Sequence, residues 1–205
     1  ITPFLQKGDL SQNQNNLTIT QKFIILYGVA AGMYYLHKQG MTHLNLKPEN
    51  ILLNDEMEPI INIDIISRPK YGRENLLDFL PLFSFSFVAP ELLEFHGEQS
   101  TTFNEKLADV YSFAMVAYYL MSGLDPWESS RGFQPILRKS WKDKRPKINH
   151  LIQPPFDKLI TECSDTDPLK RLSFKDILNR IGSENFIRSI ELLDLDQFQK
   201  YQKKV

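Results

Sequence analysis

Residues 41–54 read MTHLNLKPENILLN and place several polar side chains directly before a short apolar run. His43, Asn45, Lys47 and Asn50 lie two or three residues apart, so an extended loop would point several of them into one cleft. Such a cluster suits the binding of a phosphate and a metal ion. Taken alone, the same pattern also fits an ordinary polar loop, so the surrounding sequence has to decide.

A long helix is predicted just before this stretch. Thr18 and Gln21 have the spacing of a capping box, and Gly40 is placed to end the helix in a left-handed conformation. The apolar residues between them recur at steps of three and four and predict one buried face: Phe23, Leu26, Val29, Ala30, Met33 and Leu36.

Two short aliphatic runs after the stretch, residues 51–53 and 60–66, predict a small β-hairpin around an acidic turn. Residues 107–121 predict a helix that is apolar nearly all round apart from Asp109 and Ser112 and that stops at Gly123. A helix with this pattern belongs in the middle of a domain.

The remaining segments predict shorter helices. Residues 155–163 and 174–181 are amphipathic, with a break at Asp167 and Pro168 between them. The tail, residues 184–205, is predicted to be helical and to end in a solvated basic run, KYQKKV. The fold class is therefore mainly α with one small β element next to residues 41–54.

The composition favours one globular domain of 205 residues, in which 24 basic and 25 acidic residues leave a net charge of −1. This balance gives no reason to expect a nucleic-acid partner. No apolar run approaches the roughly 20 residues that span a bilayer, so we expect no membrane partner and a cytoplasmic location. The single cysteine, Cys163, is expected to be a buried apolar residue.

The segment HLNLKPEN, residues 43–50, resembles the protein kinase catalytic loop, H-R-D-L-x-x-x-N. Further landmarks follow in the family's order: Ala89-Pro90-Glu91 matches A-P-E, residues 109–127 are similar to the family's central helix, and residues 167–178 to its last helix region. The chain is thus identified as a protein kinase relative of the tyrosine-kinase-like or Ser/Thr type. The resemblance implies a kinase-like fold, C-terminal lobe.

The resemblance assigns structural roles to four residues. Arg171 stands where the family places the partner of the A-P-E glutamate, so it is expected to form a buried ion pair with Glu91. Asp109 is expected to accept hydrogen bonds from the loop backbone near His43, since a lone acid in an apolar helix needs partners. His43 is expected to pack and hydrogen-bond and not to act as a base.

The resemblance also assigns the catalytic positions, and two of them depart from the family pattern. The general base that accepts the substrate's proton is an aspartate in the family and is Asn45 here, a neutral amide. The preceding arginine, which in many kinases pairs with a phosphorylated loop, is Leu44. Lys47 is expected near the transferred phosphate, and Asn50 is expected to hold a magnesium ion and so to contribute to cofactor binding.

ATP and Mg²⁺ are the cofactors that the family implies, but the second metal ligand is altered. The family's D-F-G aspartate, counted without a gap from Asn50, falls on Ile63. Asp64 is one residue away and should face the opposite side of an extended strand, so only a bulge or a slipped register would make it a metal ligand. Otherwise Asp64 is a solvated turn residue. We do not expect Asn50 alone to hold magnesium.

No G-x-G-x-x-G occurs in the chain, and residues 4–10 resemble the segment just after the family's hinge. Residues 1–182 are therefore predicted to form the hinge segment and large lobe without a small lobe, with residues 183–205 as a helical tail. Three hypotheses follow: a catalytically impaired pseudokinase that binds proteins, part of an active kinase whose small lobe is encoded upstream, or a product without a selected function.

Overall fold

The computed structural model of the chain describes residues 7–63, 86–93, 104–127 and 145–205. In these ranges it is mainly helical, with one two-stranded sheet, as predicted. The helices are α1 (Leu10–Asn13), α2 (Ile19–Lys38), α3 (Pro90–Leu93), α4 (Glu105–Ser122), α5 (Phe156–Cys163), α6 (Phe174–Ile181), α7 (Glu184–Arg188) and α8 (Leu195–Gln202). The strands are β1 (Ile51–Leu53) and β2 (Pro59–Ile61).

Helix α2 begins and ends where the sequence predicts. Thr18 accepts a hydrogen bond from the Gln21 amide, and the Gln21 side chain accepts one from the Thr18 amide, so the capping box is complete. Gly40 follows the helix with φ of +73°. All six residues of the predicted apolar face are buried, and α2 therefore supplies one wall of the core.

Helix α4 forms the centre of the described core, as its all-round apolar pattern predicts. Asn104 caps its first turn, and Gly123 ends it with φ of +77°. Asp109 is fully buried within this helix, and Ser112 is 4% exposed. Cys163 of α5 is also buried, and burial raises the pKa of its thiol to about 12.

The β-hairpin is shorter than the sequence predicts. Strand β1 pairs antiparallel with β2, with Ile51 opposite Ile61 and Leu53 opposite Pro59. The prediction that the second strand runs through residue 66 was wrong at residues 62 and 63, which are not strand; residues 64–66 lie outside the described ranges. The partner strand begins only at Ile51, because residues 48–50 turn as a 3₁₀ helix that starts with Pro48.

The tail is helical, as predicted, and consists of two helices, because Ser183 caps α7 and Asp194 caps α8 separately. Leu192 lies between them with φ of +61°. The basic end is exposed at its lysines, as predicted, but Tyr201 is buried. Phe198 is fully buried, and its ring centroid lies 4.5 Å from that of Phe23 on α2.

Two glycines one turn apart on α2, Gly28 and Gly32, let the hairpin and tail approach the helix closely. A Cβ at Gly28 would lie 2.1 Å from Tyr201 Oη and 2.5 Å from Pro59 Cγ. A Cβ at Gly32 would lie 2.7 Å from Ile61 Cδ1. No ordinary side chain fits at Gly28 without moving these neighbours.

We therefore expect Gly28→Ala to lower the free energy of unfolding by up to about 2 kcal/mol. Overpacking costs about 1–3 kcal/mol, and the better helix propensity of alanine returns about 1 kcal/mol of that. Gly32→Ala is the matched control, since its new methyl group meets only the end of a flexible side chain, and it should be nearly neutral. Urea unfolding of both variants provides the measurement. Equal stability of the two variants would contradict the close approach at Gly28.

Candidate functional site

Asp109 anchors the loop at residues 43–45 to the central helix. Its Oδ2 accepts the backbone N–H of His43 at 2.9 Å, and its Oδ1 accepts that of Leu44 at 2.7 Å. His37, at the end of α2, also places Nε2 2.9 Å from Asp109 Oδ2. The carboxylate is fully buried, and these three contacts replace the water that it loses. The contact expected from the sequence is therefore present.

Leu44 turns the loop through a left-handed backbone conformation, with φ of +57°. For a residue with a Cβ, this conformation costs on the order of 1 kcal/mol and persists where the surroundings fix it. The hydrogen bond to Asp109 fixes the Leu44 amide, and the side chain is 5% exposed, within the core. The arginine position of the family motif is thus filled by a core leucine.

His43 uses both ring nitrogens to hold the loop together. Its Nδ1 accepts the backbone N–H of Asn45 at 3.2 Å, so this nitrogen carries no proton. Its Nε2 then donates to the Asn62 carbonyl at 3.1 Å. The ring is fully buried. This arrangement favours a neutral imidazole that connects the loop to the end of β2, with no nitrogen available as a base.

The three polar side chains that the resemblance assigns to catalysis and metal binding lie on the same loop. Asn50 donates from Nδ2 to the Asn45 carbonyl at 2.8 Å, which fixes the loop and leaves Asn50 Oδ1 as a potential ligand. Asn45 and Lys47 are half-buried. The structure therefore brings Asn45, Lys47 and Asn50 together on one short turn, while their chemical roles remain predictions.

The described residues do not fit a family-type magnesium site. Ile63, which the ungapped count from Asn50 predicts to stand at the position of the metal-binding aspartate, is an aliphatic side chain with 43% exposure. Asp64, the predicted substitute, lies outside the described residues. Magnesium prefers octahedral oxygen ligands, usually with one or two carboxylates. The positions that the resemblance assigns on this loop, Asn45 and Asn50, offer amide oxygens, and the loop's carboxylate, Glu49, is exposed. Across the described ranges, no cluster of three His, Cys, Asp or Glu side chains could hold a metal.

Glu91 and Arg171 form the ion pair that the sequence predicts. Arg171 Nη1 lies 2.5 Å from Glu91 Oε1, and Nη2 lies 3.0 Å from Oε2. The arginine side chain is fully buried and the glutamate side chain 19% exposed, so the pair is buried mainly on the arginine side. Arg171 also donates to the Leu107 carbonyl at 2.9 Å and the Asp165 carbonyl at 3.0 Å.

The guanidinium of Arg171 also stacks on a buried tyrosine. Its Cζ lies 5.2 Å from the Tyr111 ring centroid, and Arg145 lies 5.3 Å from the same ring. Burial raises the pKa of Tyr111 to about 12, although both guanidinium groups act to lower it. The phenol therefore stays neutral and serves as a packing surface for the two cations.

Three carboxylates act on Tyr119, a partly buried tyrosine of α4. Burial raises the pKa of Tyr119 on α4, and the carboxylates of Glu49, Asp9 and Asp125 act in the same direction. Glu49 belongs to the loop itself, and Asp9 caps α1.

The geometry above agrees with a comparison of the sequence with family models. The model described as protein kinase domain matches residues 2–181. The chain belongs to the protein kinase family. The matched range contains the loop, its anchor Asp109 and the Glu91–Arg171 pair. In this kinase domain the helices of the large lobe surround α4, and the short sheet lies beside the loop.

Curated relatives of this kinase domain include plant and amoebal enzymes. The serine/threonine/tyrosine-protein kinase HT1 of Arabidopsis thaliana is 29% identical over 189 residues, which is 87% of this chain and 45% of that protein. The serine/threonine-protein kinase VIK of the same plant is 29% identical over 191 residues, 88% of this chain and 42% of VIK. The dual specificity protein kinase pyk3 of Dictyostelium discoideum is 30% identical over 203 residues, 94% of this chain and 14% of pyk3. The chain spans less than half the length of each.

Sequence reasoning missed three residues that hold the kinase loop in place. His37 contacts Asp109, Asn62 supplies the carbonyl for His43, and Lys106 donates from Nζ to the His37 carbonyl at 2.8 Å. His37 could have been found, since it is a polar side chain next to the apolar face of α2. Asn62 acts through its backbone, which leaves no signal in the residue type.

Within the described parts of the kinase domain, no helix has the length and apolar character to cross a bilayer.

Proposed function

We propose that this protein kinase domain is catalytically impaired and acts by binding other proteins. The observation that carries the proposal is Asn45. The loop around it is folded through His43, Asp109 and Asn50, yet the side chain at the base position is a carboxamide. A carboxamide does not take up a proton at neutral pH, and general-base help contributes about 10²–10⁴ in rate.

Ile63, at the predicted position of a metal ligand, supports the same proposal. A bound magnesium ion supplies several kcal/mol of charge stabilisation in phosphoryl transfer. A half-exposed isoleucine has no oxygen to contribute to it. A loop with an amide at the base position and, among the described residues, no carboxylate at the metal position is expected to transfer phosphate very slowly.

A phosphoryl-transfer assay tests the impairment. The purified chain is incubated with ATP, Mg²⁺ and generic protein substrates, and we expect no transfer above a no-protein control. A Lys47→Ala variant distinguishes the chain from a co-purifying kinase, because contaminant activity does not depend on Lys47. Transfer by the wild-type chain that is lost in Lys47→Ala would contradict the proposal.

The binding role has a separate genetic test. In the organism that encodes the chain, a Lys47→Ala replacement should leave the phenotype unchanged, because a binding role does not use the side chain expected near the transferred phosphate. A deletion of the gene should produce a phenotype. A phenotype in Lys47→Ala equal to that of the deletion, with normal protein levels, would indicate catalysis instead.

The alternative is that the chain is part of an active, ATP-dependent Ser/Thr or Tyr kinase. It is favoured by the retained Asn50–Asn45 contact and by the fact that the chain spans less than half of the relatives above. Coding DNA upstream of Ile1 distinguishes the two: an in-frame glycine loop and strand lysine would support nucleotide binding. The phosphoryl-transfer assay would then be repeated on the longer protein with Asn45→Asp as the comparison.

A further inference from the structure

The segment that follows the matched kinase range docks onto α2 and the hairpin through its last helix. Residues 194–204, the C-terminal strap, lie after residue 181, where the family match ends. At the start of the strap, the Asp194 N–H donates to Thr20 Oγ1 at 2.9 Å. Thr20 lies in the first turn of α2 and is 3% exposed, so this contact is shielded from water.

The middle of the strap is inserted among aromatic rings of α2. Phe198 is fully buried, with its ring centroid 4.5 Å from Phe23 and 5.3 Å from Tyr27. Tyr201, one turn later, lies over Gly28, the position at which a Cβ would collide with its hydroxyl. Burial raises the pKa of the Tyr201 phenol, and the Glu58 carboxylate raises it further. The strap thus fits a groove of defined shape.

The end of the strap contacts the turn of the hairpin. Lys204 Nζ lies 2.5 Å from Glu58 Oε1. Glu58 is itself bound to the other side of the turn, since Asn54 Nδ2 donates to Glu58 Oε2 at 3.1 Å. Pro59, the first residue of β2, lies over Gly28 together with Tyr201. The strap therefore contacts both the start of β2 and α2.

The residue that follows strand β2 contacts the loop at residues 43–50. Asn62, three residues after Pro59, donates its N–H to the Asn50 carbonyl at 2.9 Å and accepts from His43 Nε2 at 3.1 Å. A continuous series of contacts thus joins the strap, the hairpin and the loop.

We propose that the C-terminal strap braces the hairpin and thereby orders the loop at residues 43–50. The groove formed by α2 and β2 is the docking surface, and the chain's own residues 194–204 are its occupant. Release of the strap loosens the hairpin, and with it the contacts of Asn62 to His43 and Asn50. The proposal concerns the order of the loop and does not depend on whether phosphate is transferred.

Hydrogen exchange of the full chain, followed by mass spectrometry, tests this brace. Phe198→Ala is expected to speed exchange in residues 194–204 on the order of a hundredfold, because a large buried ring is lost. Exchange in residues 51–62 should rise at least about tenfold, while α4 stays protected. Gln199→Ala is the matched control, since Gln199 is exposed on the same helix, and it should exchange like wild type.

A second variant serves if Phe198→Ala does not fold. A protease recognition sequence inserted at Leu192, which is 93% exposed, keeps every strap contact until the chain is cut. After cutting and removal of the freed strap, the same increase in exchange is expected at residues 51–62. Unchanged exchange at residues 51–62 after the strap has left would overturn the proposal. Strap amides that exchange freely in the uncut wild-type chain would overturn it as well.

Discussion

Replacing Asp109 with alanine is expected to lower the free energy of unfolding by about 4 kcal/mol. The fully buried carboxylate accepts the backbone N–H groups of His43 and Leu44 and contacts His37. Each buried donor left without a partner costs about 1–3 kcal/mol. Since domains are stable by about 5–15 kcal/mol, this loss takes a large share of the total. The left-handed turn at Leu44 would also lose the contact that fixes it.

Equilibrium unfolding in urea, monitored by circular dichroism, measures this effect. Asp196→Ala is the matched control, because Asp196 is exposed in the first turn of α8, and its loss should cost no more than about 0.5 kcal/mol. If Asp109→Ala unfolds at nearly the same urea concentration as Asp196→Ala, the loop is held by contacts other than the carboxylate.

Glu91→Ala is expected to cost about 3 kcal/mol. The substitution leaves the guanidinium of Arg171 buried beside the Tyr111 ring without its counter-charge, and stranding one partner of a buried pair costs about 3–5 kcal/mol. The lower end applies because the glutamate side chain is 19% exposed, so water can enter the space that it vacates. The carbonyls of Leu107 and Asp165 still accept from Arg171 and limit the loss.

The control for Glu91→Ala is another glutamate–arginine pair of this chain. Glu184 and Arg188 pair on the surface of α7, with side-chain exposures of 74% and 76%. Glu184→Ala should cost less than about 0.5 kcal/mol, because exposed helix pairs contribute little. The difference between the two variants in unfolding free energy measures the effect of burial. Similar costs for both variants would mean that burial of Arg171 adds no penalty when its counter-charge is removed.

The sequence was most informative where a local signal coincides with burial. The capping box at Thr18 and Gln21 and the glycines at 40 and 123 fix helix ends through backbone chemistry that involves only nearby residues. Asp109 could be predicted to need partners, because an isolated acid in an apolar helix has no other stable environment. The family motif then indicated which backbone would provide them.

The features that escaped prediction depend on contacts between distant segments. Strand β2 stops at Ile61 because β1 begins only after the 3₁₀ turn at residues 48–50, which the residue types of β2 do not reveal. The burial of Tyr201 in a basic run depends on Gly28, more than 170 positions earlier in the chain. Neither the role of His37 nor that of Asn62 follows from local periodicity.

The burial of Leu44 limits which side chains this position accepts. The family motif has an arginine here, whereas in this chain the side chain is 5% exposed and packs with the core. An arginine at this position would have to leave the core or bury an unpaired charge, which is strongly unfavourable. Asn45→Asp changes one functional group, whereas Leu44→Arg requires neighbouring core residues to change with it. The family's residue is therefore much harder to reach by a single substitution at position 44 than at position 45.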